Sequence, residues 1–167
     1  RGLGDVYKRQ DNKSFLLMDR FTISNLELIN SKFPGGKSVL DIIDKTMTPM
    51  GSRLLRRWLC FPSIDLNEIQ FRYDIVEELV KLSSTDLVEK YNSIIDIERL
   101  VSKITNYKVN PRELVNFKLS LLKVDEIKKE LNSASKNLKL LSKKFKDSNK
   151  VVQLIEKNLL EESPVNI

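Results

Sequence analysis

The chain contains no histidine and a single cysteine, Cys60, so the chemistry open to it is narrow. Imidazole acid–base catalysis, a serine–histidine–aspartate arrangement and any histidine-bearing zinc site are excluded, and one thiolate cannot build a zinc cage. Cys60 as a nucleophile would need a basic partner and access to solvent. It stands in Trp58-Leu59-Cys60-Phe61, an apolar neighbourhood where cysteine acts as a small core residue. One cysteine permits no internal disulfide, and a reducing compartment is the default.

Three other groupings could carry chemistry. Gly35-Gly36-Lys37-Ser38 imitates the end of a phosphate-binding loop, but Ser31 occupies the place of the first glycine and no buried strand precedes it. Turn glycines after Pro34 account for it better than a nucleotide cradle. The carboxylate pairs Glu77-Glu78, Asp125-Glu126 and Glu161-Glu162 are sequence neighbours on expected helices, so they point about 100° apart and read as surface. Asp96-Ile97-Glu98-Arg99 offers a helix cap and a structural ion pair rather than a ligand site. Arg53, Arg56 and Arg57 lie partly on one helix face. They could bind phosphate, or brace carboxylates and helix ends across the core; bracing is favoured because Leu54, Leu55 and Trp58 are expected to bury that helix. Aromatic residues make up 7% of the chain and are scattered, with no stacking platform for single strands.

The elements that must position these residues are helical. At 167 residues, with 41% hydrophobic and 31% charged residues but only five glycines and five prolines, the chain suits one folded domain of long uninterrupted elements. Phe15 to Asp19 is a short apolar run with the character of a strand or extended edge. A helix is expected from Thr22, capped by Ser24 or Asn25 with Glu27 in its first turn, and ended by the turn Phe33-Pro34-Gly35-Gly36. Ser38 caps a brief helix through Ile43. Thr48 as N-cap and Pro49 at the first helical position start another that runs to about Leu59 and stops before Pro62. Asp65 with Glu68 forms a capping box, with Ile64 and Ile69 as its hydrophobic staple. Ile69, Tyr73, Val76, Leu79 and Val80 mark the packed face of that helix. Helices follow over 85–93 and 96–107. Asn110-Pro111-Arg112-Glu113 opens a long amphipathic helix with a seam of Leu114, Phe117, Leu121, Val124, Ile127 or Lys128, and Leu131. Ser133-Ala134-Ser135 interrupts it, and a last helix is expected over 139–160 with a break near Asp147-Ser148. The fold class is therefore all-α, bundle-like, with one minor extended segment near the N-terminus.

The net charge is +6. A basic domain attracts nucleic acid or anionic membrane through its summed field, but a lysine-rich solvated helix surface is the favoured reading. Lysines run from Lys103 to Lys157 with Asp and Glu among them, rather than in one arm. No run approaches the roughly 18–20 apolar residues that span a bilayer. Arg1–Gln10 has no apolar stretch of the signal-peptide kind, and the expected location is cytoplasmic.

One string resembles a known family. Ser38-Val39-Leu40-Asp41-x-x-Asp44-x-Thr46-x-Thr48-Pro49-Met50-Gly51-Ser52-Arg53-x-Leu55 is similar to the most distinctive stretch of the core, or lever, domain (domain III) of the MutS DNA mismatch-recognition proteins. Met18-Asp19 with Thr22-x-x-Asn25-Leu26-Glu27-Leu28 resembles the entry to that domain. Trp58-Leu59-x-x-Pro62, Ile69-x-x-Arg72-x-Asp74-x-Val76-Glu77, Asp96-Ile97-Glu98-Arg99-Leu100 and Pro111-Arg112-Glu113-Leu114 follow in the family's order. The signature residues carried over are Asn25, Thr48, Pro49, Gly51, Arg53, Trp58, Arg72, Asp96 and Arg99.

The resemblance implies a lever-type core over residues 12–167, the first half only and ending before the family's DNA-gripping clamp. Residues 1–11 form a tail outside it, the first ten read as a cloning or translation scar. The chain opens on Arg rather than Met and is expected to be part of a longer protein. The implied parent binds duplex DNA with mismatches or small loops, pairs with a second MutS subunit, recruits repair factors of the MutL type, and uses ATP with Mg²⁺. The segment itself is expected to hold no cofactor, no catalytic residue, no mismatch-reading wedge and no membrane anchor, and to act near the bacterial nucleoid. Within the family, a paralogue acting in recombination is the alternative. Outside it, a stand-alone basic helical DNA-binding domain and a protein–protein scaffold remain open. Leu154 and Leu159 are expected to be exposed seam residues able to drive self-association.

Overall fold

Capping chemistry decides where most of the helices begin. In the computed structural model, which describes residues 14–159, nine α-helices account for the regular structure of those residues: α1 (Arg20–Asn25), α2 (Val39–Ile43), α3 (Pro49–Cys60), α4 (Leu66–Leu82), α5 (Thr85–Asn92), α6 (Ile97–Thr105), α7 (Pro111–Ser133), α8 (Lys136–Ser142) and α9 (Asn149–Asn158). Asp19, Ser38, Ser84, Asp96 and Asn110 each accept a backbone N–H from the first turn of the helix they precede. Around Ser38 and Asn110 the third helical residue, Asp41 or Glu113, reaches back to close a capping box. The all-α expectation holds. The extended piece is a single antiparallel bridge between Phe15 and Ser63, flanked by Leu16 N–H to the Pro62 carbonyl at 2.8 Å and Ile64 N–H to the Ser14 carbonyl at 3.1 Å.

The residues cluster into two compact units: 14–45 with Ser52–Tyr73, and Thr46–Gly51 with 74–159. In the first, Ile29 and Cys60 are buried apolar side chains, and Ser38 and Ser63 are buried polar ones. Several expectations fail here. The first helix is capped by Asp19, whose carboxylate takes the Thr22 N–H at 2.6 Å, so Ser24 and Asn25 lie in its last turn and are not caps. The cause is a stronger acceptor at the earlier position: an ionised carboxylate outcompetes a hydroxyl or an amide. Asp65 does cap α4, its carboxylate accepting the Asn67 N–H at 2.9 Å, but the box with Glu68 closes indirectly. Asp65 N–H donates to the Ser63 hydroxyl oxygen (3.3 Å), and that hydroxyl donates to Glu68 (2.6 Å). Ile64 stays exposed and so is a poor staple.

The second unit is organised on α7. Phe117, Leu121, Val124, Ile127 and Leu131 recur along it at 4-3-3-4 spacing. Ile127 and Leu131, each 1% exposed, join Leu87, Ile94 and Leu138 in one cluster; Phe117 joins Leu100 and Ile155 in a second. Helices α5, α6, α8 and α9 all pack on α7. The open choice between Ile127 and Lys128 falls to the isoleucine. On α4 the packed residues of this unit are Ile75, Leu79 and Leu82, while Val76 and Val80 stay exposed; in the first unit Tyr73 is exposed as well. The last expected helix is two helices, with residues 143–148 between them, and Leu159 packs against the second cluster whereas Leu154 is exposed. Among the described residues, no helix is long and apolar enough to cross a membrane.

Candidate functional site

The nine signature residues divide between the two units. Thr48, Pro49, Gly51, Asp96 and Arg99 belong to the second unit; Asn25, Arg53, Trp58 and Arg72 belong to the first.

At the start of α3, the Thr48 side-chain oxygen accepts the Gly51 N–H at 3.1 Å, and Pro49 occupies the first helical position, where its missing N–H leaves nothing unpaired. Gly51 is needed for space. A Cβ there would sit 3.2 Å from Thr48 Oγ1 and 3.3 Å from Thr46 Cβ. Met50 beside it packs onto the Leu87–Ile127 cluster.

In the first unit, the Arg72 guanidinium stacks over the Trp58 indole at 3.9 Å from the ring centroid and also binds Glu68 one turn back. Glu68 in turn accepts the Ser63 hydroxyl. This chain of four residues fixes the corner between α3 and α4. Ser52 adds a hydroxyl donated to the Asp44 carboxylate. Asn25 accepts from the Lys32 ammonium at 2.6 Å. Arg53, Arg56 and Arg57 are exposed, as are Leu54 and Trp58, at 46% and 39%. The expectation that Leu54 and Trp58 bury this helix is therefore wrong: among its described side chains only Cys60 is buried, with Leu55 and Leu59 half-buried. Burial pushes the Cys60 thiol up, with the Arg56 charge opposing, so the thiol stays protonated and inert near neutral pH.

In the second unit, Asp96 accepts the Arg99 N–H at 3.1 Å as the cap of α6. Across the groove lined by these two residues stands Glu113, bound by Lys103 and accepting the Asn110 N–H at 3.1 Å. The Lys103 hydrogen bond, then the Asn110 backbone, holds Glu113 below the usual carboxylate range; the charges of Lys103 and Arg99 act the same way.

Some functional geometry lay outside the sequence reading. Glu77 and Glu78 are not equivalent surface carboxylates. Glu77 pairs with Lys81 at 2.6 Å, whereas Glu78 reaches the N-terminus of α8 and accepts from the Ser135 hydroxyl, the Asn137 amide (2.9 Å) and the Leu138 N–H (3.0 Å). It caps a helix whose own Ser135 makes no side-chain cap bond. Lys90 bridges Asp86 and Glu130, and Glu130 also takes the Ser84 hydroxyl at 3.0 Å. The Glu77–Lys81 and Asp86–Lys90 pairs are local i,i+4 contacts, but Glu78 and Glu130 meet partners 40 or more residues away, and no local pattern signals those. The pair Asp125-Glu126 divides likewise, Glu126 to Lys123 and Asp125 to Ser148; Glu161-Glu162 lies outside the described residues.

As chemistry, the arrangement braces and caps. Among the described residues there is no grouping of three His, Cys, Asp or Glu side chains able to hold a metal. The Gly35–Ser38 segment does not fit a nucleotide. Its Ser38 hydroxyl is buried and donated to Asp41, α2 behind it has five residues, and a Cβ on Gly36 would fall 2.2 Å from Ser31 Oγ.

A family model described as MutS domain III matches residues 21–167. Among curated proteins, the chain is similar to the DNA mismatch repair protein MutS of Cytophaga hutchinsonii, 42% identical over 134 residues, which cover 79% of this chain and 16% of that protein. It is 39% identical over 159 residues to that of Flavobacterium johnsoniae (92% and 18%), and 40% identical over 155 residues to that of Caldanaerobacter subterraneus (90% and 18%). The chain thus spans less than a fifth of the length of these relatives.

Proposed function

The chain belongs to the MutS family, within its domain III, and from that premise we propose that it acts as the mechanical core of a MutS-type mismatch sensor. In this reading the longer protein binds duplex DNA carrying mismatches or small loops, pairs with a second subunit, hands on to repair factors of the MutL type, and turns over ATP with Mg²⁺, all in the bacterial cytoplasm. ATP and Mg²⁺ would be held by parts of that protein beyond these residues. The segment between them relays conformation and does no chemistry. The nine signature residues hold its helices in register.

The observation that carries this reading is α7. It is 23 residues long, about 34 Å at the helical rise, with no glycine or interior proline. Four other helices index on it. A rod of that kind transmits displacement because bending it breaks backbone hydrogen bonds, and packed elements switch between discrete arrangements rather than deforming smoothly. Relatives named for mismatch repair favour the repair branch over recombination.

The test softens the rod without removing its core contacts. Asn116→Gly with Leu119→Gly, both at exposed positions of α7, together weaken the helix by about 1 kcal/mol, most of it at Leu119 because asparagine is already a poor helix former. In the full-length protein, mismatch-stimulated ATP turnover is expected to fall several-fold while basal turnover and mismatch binding persist. Alanine at the same positions should change nothing. Undiminished stimulation in the glycine pair would overturn the relay.

A further inference from the structure

Residues 128–157 contain nine lysines and three acids, an excess equal to the net charge of the whole chain, so the remainder is electrically balanced. Read along the sequence the lysines look evenly interspersed with acids; in the fold they separate by partner. Lys81, Lys90, Lys103, Lys118 and Lys123 are each paired with a carboxylate. The three acids of 128–157 are engaged elsewhere: Glu130 by Lys90 and Ser84, Glu156 by Lys118, and Asp147 by the Asn149 N–H at 3.0 Å. Among the described residues, no carboxylate lies within ion-pair distance of Lys128, Lys129, Lys136, Lys139 or Lys143.

These five form a structured row. Lys136, Lys139 and Lys143 recur at the three- and four-residue spacing of one outward helix face, while Leu138, Leu141 and Ser142 turn toward α7. Lys143 also lines a groove with Lys128 and Lys129 of α7; Asp125 and Asp147 share that groove, and Asp125 is occupied by the Ser148 hydroxyl at 3.3 Å. The row is rigid because Leu138 is 1% exposed and Glu78 caps the helix that carries it.

We infer that this row is a docking face for the phosphodiester backbone of duplex nucleic acid, read without sequence preference. Spaced ammonium groups on a fixed helix match a periodic polyanion, and lysine offers point charges rather than the guanidinium fork that reads base edges. Single strands are disfavoured because the row carries no exposed aromatic for base stacking: Phe145, the nearest, packs into the core. The inference reaches beyond the mechanical role and needs neither mismatch nor ATP.

The experiment uses the intact chain, a fluorescently labelled 30-base-pair matched duplex and anisotropy from 50 to 200 mM salt. Lys129→Gln, Lys139→Gln and Lys143→Gln together should weaken binding at least tenfold at 50 mM. They should also flatten the slope of log affinity against log salt by about 2–3, since each phosphate contact contributes about 0.9. A control triple with the same charge change at the exposed Lys37, Lys45 and Lys108 should alter affinity less than twofold, with circular dichroism unchanged in both. Equal losses in the two triples, or none in the first, overturn the proposal. Tighter binding to the single strand, or equal lysine-dependent binding to phosphatidylserine vesicles, overturns its assignment to duplex nucleic acid.

Discussion

The guanidinium carbon of Arg72 lies 3.9 Å from the centroid of the Trp58 indole, joining α4 to α3 through a cation–π stack. Trp58 is the only tryptophan in the chain and is 39% exposed, so the stack is partly hydrated and belongs at the weaker end of such pairs, about 0.5–1 kcal/mol. Arg72→Ala should lower stability by about that amount plus a few tenths for the lost Glu68 pair, and should shift tryptophan emission, which comes from Trp58 alone. A double-mutant cycle of Arg72→Ala with Trp58→Leu isolates the coupling. Additivity within 0.3 kcal/mol would show that the stack contributes nothing.

Gly51 is hemmed in by Thr48, which caps its own helix, and by Thr46. Gly51→Ala sets about 1 kcal/mol of gained helix propensity against a Cβ 3.2–3.3 Å from Thr48 and Thr46, and should be close to neutral. Gly51→Val drives further methyls into the cap and should destabilise by about 1–3 kcal/mol. In the full-length protein it should also depress mismatch-stimulated ATP turnover. Urea denaturation of the two variants decides: equal midpoints would remove the case for a steric constraint at this position.

Acid should loosen α8. The Ser135 hydroxyl, then the backbone and amide donors of Leu138 and Asn137, hold Glu78 below its ordinary value of 4.5. A carboxylate with a depressed folded pKa stabilises the fold fully above its unfolded pKa and loses that contribution as pH falls through the folded one. The loss therefore falls below about pH 4.5. Thermal melts of Glu78→Gln between pH 6 and pH 3 should show a lower Tm at neutral pH and a shallower decline in acid than the parent chain. An identical pH profile would exclude Glu78 as a contributor.

The register of α7 is open to a direct comparison of adjacent residues. Ile127 is 1% exposed in the main cluster, and Ile127→Ala should destabilise by about 2–5 kcal/mol through lost burial and a residual cavity. Lys128→Ala, one position on, should stay within about 0.5 kcal/mol. Chemical denaturation of the two distinguishes them, and a larger effect at Lys128 would place the seam on the wrong face.

Much of this was legible in the sequence for local reasons. Helix starts at Ser38, Thr48, Asp96 and Asn110 rest on hydrogen bonds between residues three apart, and the α7 seam rests on periodicity. Helix ends were harder to read. α4 and α6 are followed by Ser83 and Tyr107 at positive φ, where glycine or asparagine would have been the signal. The candidate site was legible as a set of residue types and illegible as an arrangement: Trp58 and Arg72 both stood in the signature, but nothing within either segment foretold that they stack.

By itself the sequence determined the all-α class, the family, and the exclusion of imidazole and zinc-cage chemistry, because composition, caps and motif order are properties of neighbours along the chain. The tertiary structure alone decided that Leu54 and Trp58 face outward and that Glu78 caps a helix 57 residues downstream. It alone also separated the paired lysines from those left facing solvent. Burial and ion pairing depend on which surfaces meet, and that is settled only when helices distant in sequence pack together.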